Sequence, residues 1–130
     1  MTISIIMYDL IKASLPDHPV GKIFFDHIPQ ATILNDTDGI VLIKEITLDA
    51  KSSKDLVSNT KTMESIYRVE IIGDIESYMA LETVANTLTD ALVGYHDSTI
   101  KVIDLSLGHQ DGNDEAKIKR FIRDFQIIHI

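Results

Sequence analysis

The sequence contains no cysteine, so disulfides, thiolate metal sites and a cysteine nucleophile are excluded at the outset. No apolar run approaches the ~20 residues that a membrane-spanning helix needs. Met1 to Ile11 is apolar, but it includes Tyr8 and Asp9, has no early basic region and is followed by no small-residue cleavage site, so it does not read as a signal peptide. Positive charge is scarce as well: 12 Lys and Arg, scattered along the chain, stand against 20 Asp and Glu, a formal net charge of -8. A surface of that sign repels phosphate backbones, which argues against a protein that holds nucleic acid tightly.

Catalytic signatures are missing too. Serine never falls in GxSxG, and glycine forms neither GxGxxG nor GxxxxGK[ST], which leaves nucleophile-elbow hydrolases, dinucleotide enzymes and P-loop enzymes without support. The five histidines, His18, His27, His96, His109 and His129, include no HExxH and no i, i+4 pair on a helix, so they read as turn or surface residues. Gly108 to Glu115 has the composition of a calcium loop, with Asp111, Asn113 and Glu115 at alternate positions, but the later Glu that closes such a site is absent. The expectation is a protein that is not an enzyme, with no cofactor and no metal.

What is present is an ordinary globular composition, 45% hydrophobic and 25% charged over 130 residues. That length suits a single domain spanning 1–130, able to bury roughly two thirds of the surface of its unfolded chain. Its organising stretch is Met63 to Val93. Tyr67, Val69 and Ile71 alternate with Arg68 and Glu70, the period of a strand with one buried face, although Ile66 and Ile72 interrupt the alternation. Beyond Gly73-Asp74 the period changes. Tyr78, Leu81, Ala85, Leu88 and Leu92 then recur at steps of three and four and share one helical face. Asp74 is placed to accept from the first-turn N–H groups, and Gly94 to end the helix in the left-handed conformation.

An earlier helix is expected over about 2 to 14, from the spacing of Ile3, Ile6, Met7, Leu10 and Ile11 and the stop at Pro16. Ile5 broadens its stripe, which suits either a neighbouring subunit or deep burial in a monomer. After the turn-rich Leu15 to Gly21, a short strand is expected within Lys22 to Ile28. Asn35, Asp36, Asp38 and Gly39 mark a turn before a two-sided apolar strand at Ile40 to Leu48. Ser98 to Leu107 and Ala116 to Ile130 read as two further strands separated by a polar turn region, Gly108 to Glu115. The resulting fold class is α+β, with a mainly antiparallel sheet, two helices on one face, and the order α-β-β-β-α-β-β.

One segment, Asp49 to Thr62, has no periodicity. Hairpin connections usually run ~2 to 5 residues, so a loop this long is mobile or functional. Leu56 and Val57 lie at its middle, flanked by Lys51, Lys54 and Lys61. Two readings fit: a protein contact that orders on binding, or a flexible surface loop whose apolar pair tucks back.

Several stretches resemble the tail completion or tail terminator proteins of long-tailed bacteriophages, which close the tail tube and join it to the head. They are the opening helix Ile3 to Ala13, the segment Gly21-Lys22-Ile23 to Ile28-Pro29-Gln30, the strand Ile40 to Ile46, and Tyr67-Arg68-Val69-Glu70-Ile71 leading through Gly73 into the helix with Ala80, Val84 and Leu88. Arg120-Phe121-Ile122-Arg123-Asp124-Phe125-Gln126-Ile127 completes the match. One departure is Asp38-Gly39, where family members often carry a proline. The resemblance implies a structural virion protein with no catalytic residues, made in the bacterial host cytoplasm and located in the tail or neck. It further implies a homo-oligomeric ring, commonly a hexamer, with the tail tube protein and the head connector or head-completion protein as partners, and DNA passing through without tight binding. The alternative from the residues alone is a small intracellular α/β binding or regulatory domain, which could form a dimer.

Overall fold

The computed structural model describes residues 3–30, 32–49, 63–104 and 109–129. Two long strands form its middle. β3 (Met63–Asp74) and β6 (Ile118–His129) pair antiparallel without interruption, from Met63 opposite His129 to Asp74 opposite Ile118. On the other side of β3 lies β2 (Ile40–Asp49), also antiparallel, with a bulge between Glu45 and Thr47. β1 (Ile23–Phe25) adds to β2 in parallel. β4 (Ile100–Asp104) and β5 (His109–Asn113) follow one another along the remaining side of β6, giving a six-stranded sheet ordered β1-β2-β3-β6-β4 with β5 beside β6.

Both helices cover the same face. Period-2 side chains on the inner strands, Val41 and Ile43, Tyr67, Val69 and Ile71, Phe121, Phe125 and Ile127, form one core with Met7 and Ile11 of α1 (Ile3–Ser14). Leu81, Ala85, Leu88 and Leu92 of α2 (Tyr78–Leu92) complete it. Among the described residues no helix is long and apolar enough to cross a membrane.

The α+β class and the helix-strand order agree with the expectation, and three details differ. Tyr78, expected on the buried stripe, is 41% exposed: it precedes the first full turn of packing and stacks on Phe121 at the rim, 6.0 Å between ring centres, with the Lys119 ammonium above both rings. The stretch read as a turn region, Gly108 to Glu115, contains β5, because a polar strand at a sheet edge has no apolar face to show in its sequence. Ile72, which broke the alternation of β3, is buried on the face away from the helices, together with Ile40, Leu42 and Ile122.

The start of α2 is fixed by close backbone approach. The Asp74 N–H donates to the Asp36 carbonyl at 2.9 Å, and a Cβ on Gly73 would lie 2.6 Å from that same oxygen and 2.6 Å from Leu81 Cδ2. Only glycine leaves room there. Asp74 Oδ1 then accepts from the Glu76 N–H at 3.1 Å, a one-turn 3-10 segment (Ile75–Ser77) follows, and Gly94 ends the helix region at φ 76°.

Candidate interaction surface

Lys22, Asp36 and Asp38 tie the 3-10 turn Val20–Lys22 to the turn that precedes β2. Asp36 Oδ1 accepts from Lys22 Nζ at 2.9 Å, from the Asp38 N–H at 2.8 Å and from the Gly39 N–H at 3.3 Å, while Lys22 also donates to Asp38 at 2.8 Å. Burial opposes the Asp36 charge, yet these donors outweigh it and hold its carboxyl below the usual carboxylate range. Gly39 follows at φ 91°, a backbone angle that proline cannot adopt.

Beside this knot runs an open groove of about 320 Å³ between the turn after α1 and the flank of α2. Leu15, Pro16 and Pro19 form one wall, and Ala80, Thr83 and Thr87 the other. The Thr83 hydroxyl is already engaged, donating to the Met79 carbonyl at 2.9 Å. Asp17 and Asp38 lie at the rim. α2 itself carries Glu82 and Asp90 and no Lys or Arg, so the groove is apolar along its walls and acidic around them. His18 lines it as well. Burial lowers the pKa of this imidazole, a hydrogen bond to the Gly39 backbone and the nearby Asp38 partly offset that effect, and its Nε2 is buried without a partner. It lies in a turn, as its reading as a turn or surface residue allows, and is half-buried there.

The face of the sheet away from the helices is built differently. Glu70, only 2% exposed, lies between Leu42 and Ile122 on the neighbouring strands. Its carboxylate accepts from Arg120 Nη1 at 2.7 Å and is 3.3 Å from Lys44 Nζ, and Arg120 continues to Asp111. Arg68 and Asp124 form a two-pronged pair beside it, at 2.9 and 3.1 Å. Asp111 is therefore committed to a guanidinium and Asn113 Oδ1 to the Ala116 N–H at 3.1 Å, which removes two of the three residues that made this stretch look like a calcium loop. Among the described residues no group of three or more His, Asp or Glu is arranged to hold a metal ion.

The side chains singled out as an interaction site, Lys51, Lys54, Leu56, Val57 and Lys61, lie outside the described residues. The sequence reasoning missed the groove, for a physical reason: its walls come from segments some 60 residues apart, and each wall alone reads as an ordinary turn or the outer flank of a helix.

No family model matches the sequence, and no curated protein matches it either. Among solved structures the chain is similar in fold to a chain from the virion of a native gene transfer agent (GTA) particle. The TM-score is 0.58 at 14% identity, over 92% of this chain and 83% of that one. At that identity the likeness concerns the fold.

Proposed function

We propose that this chain is a structural component of a phage-type virion, acting by assembly and not by catalysis. The observation that carries this reading is the fold held in common, over 92% of the chain, with a component of a gene transfer agent virion. The resemblance of the opening helix, Tyr67 to Ile71 and Arg120 to Ile127 to tail terminator proteins supports the same class by a separate route. In the specific form of the proposal, copies assemble as a ring, commonly of six, that caps the tail tube and joins it to the head connector in the tail or neck. Residues Lys51, Lys54, Leu56, Val57 and Lys61 supply protein contacts in that assembly. A net charge of -8 per chain suits a passage through which DNA slides, since counterion release on phosphate binding needs clustered Lys and Arg.

Two experiments test it. Disruption of the gene in the phage that carries it is expected to yield tails that are unjoined or irregular in length by electron microscopy; normally joined, uniform tails would overturn the proposal. Filter binding at moderate salt is expected to show no tight retention of duplex DNA, and a nanomolar affinity would contradict the sliding passage.

A further inference from the structure

We infer that the groove between the Leu15–Pro19 turn and α2 receives residues 50–62 of a second copy of this chain. The inference rests on the assembly reading above and names the contact that would carry it.

Charge complementarity comes first. Segment 50–62 contains Lys51, Lys54 and Lys61 against the single Asp55, a net +2 within a chain whose total is -8. The groove rim offers Asp17, which makes no ion pair among the described residues, and Asp38. Asp38 shares Lys22 with Asp36, so together with Asp17 three carboxylates stand against that one ammonium. Apolar matching comes second: Leu56 and Val57 are the apolar pair at the middle of the segment, and the groove walls are Leu15, Pro16, Ala80 and the hydroxyl-engaged Thr83. Two side chains of that size bury well in a cleft of about 320 Å³.

Geometry then makes the contact intermolecular. Asp38 stands just before the first residue of β2, and segment 50–62 begins just past its last residue, Asp49. A strand of that length spans about 30 Å at ~3.3 Å per residue. From Asp49 to Leu56 the chain reaches at most about 24 Å, even fully extended. The segment therefore cannot lay its middle beside Asp17 and Asp38 of its own chain. The groove then takes this segment from a neighbouring copy, a head-to-tail contact of the kind that closes into rings when the rotation allows.

The test is titration of a labelled peptide, residues 50–62, with the intact protein, read by fluorescence anisotropy. Saturable binding is expected, weakened about tenfold or more by Ala80→Arg, which fills the groove, by Asp17→Lys, and by replacing Leu56 and Val57 with Ser in the peptide. Both protein variants lie at exposed positions, and unchanged melting temperatures confirm that they fold. Equal binding of a scrambled peptide of the same composition would overturn the inference, because attraction would then be charge alone. Mass photometry of the intact protein reads the assembly proposal separately. Rings that survive Ala80→Arg remove the groove contact and leave assembly standing, whereas a persistent monomer that still binds the peptide in the groove supports the contact and removes the ring. A groove that ignores the peptide while Ala80→Arg abolishes tail joining belongs to another virion protein, and that too overturns the inference.

Discussion

The two faces of the sheet bury similar strands by different means. Under the helices, Val69, Ile71, Phe121 and Phe125 belong to one apolar core, and the face is held mainly by shape and by removal of apolar surface from water. On the opposite face Ile40, Leu42, Ile72 and Ile122 are equally buried, but they surround a carboxylate, Glu70, which is held by Lys44 and Arg120. The first face is not fully satisfied: Ser65, opposite the core residue Ile127, is buried, and its Oγ has no hydrogen-bond partner among the described residues. The Tyr67 hydroxyl on the same face does find partners: it donates to Glu45 at 2.6 Å and accepts from Ser4 at 3.1 Å, and burial with the Glu45 carboxylate pushes the phenol pKa far above its ordinary value. The second face shows that a row of apolar side chains can be interrupted by a charge, provided that both neighbouring strands bring cations into register.

The comparison is broken most severely on the helix side. Phe125→Ala is expected to cost about 3–5 kcal/mol in urea denaturation, because the packed core leaves a cavity that cannot collapse. A loss below about 1 kcal/mol would mean that this face is not the main core. On the other side, Glu70→Ala is expected to cost about 1–3 kcal/mol, less than removing a fully enclosed charge would, since Lys44 and Arg120 both keep access to water and Arg120 keeps Asp111. Glu70→Leu sharpens the contrast. It joins Leu42 and Ile122 into one apolar row and is expected to be close to neutral in the same denaturation assay; a loss as large as that of Glu70→Ala would assign the carboxylate a role beyond its own satisfaction.

Smaller effects follow from His18 and from the outermost pair. Because burial lowers the His18 pKa, the unfolded chain takes up the proton first as pH falls. Stability is therefore complete above about pH 6.5 and declines below it, a slope that His18→Gln is expected to flatten in melting curves taken between pH 8 and pH 5. Asp36 acts in a separate window, since its lowered pKa gives stability that is present above about pH 4 and lost only below that. Arg68 and Asp124, partly open to solvent, are expected to couple by only about 0.5 kcal/mol in a double-mutant cycle with Arg68→Met and Asp124→Asn.

The helix face was legible in the sequence because each element declares it alone: the steps of Leu81, Ala85, Leu88 and Leu92, or the alternation of Tyr67, Val69 and Ile71, need no neighbour to be read. The outer face was not. Glu70 stands where a solvent-facing residue belongs in the pattern of β3, and its burial follows only from the register that sets Lys44, Arg120 and Asp111 around it across four strands. Ile66 and Ile72 were visible as irregularities without a cause, and for Ile72 the cause is burial on that face. The groove was illegible for a related reason. Turn chemistry at Pro16 and Pro19 and the flank at Ala80 and Thr83 are each unremarkable until the Asp36 knot brings them side by side.

Synthesis order gives β6 a further significance. It pairs on both of its sides, with β3 and with β4 and β5, yet it is translated after all of them. Between completion of Asp74 and of His129 the ribosome adds 55 residues (129 minus 74), roughly 3 to 11 s at 5–20 residues per second. Throughout that interval β3 presents one unpaired edge rich in Ile and Val, open to capture by another nascent chain. Chaperone dependence during production, and insolubility of any fragment that stops before Ile118, are the expected marks of a fold whose keystone arrives last.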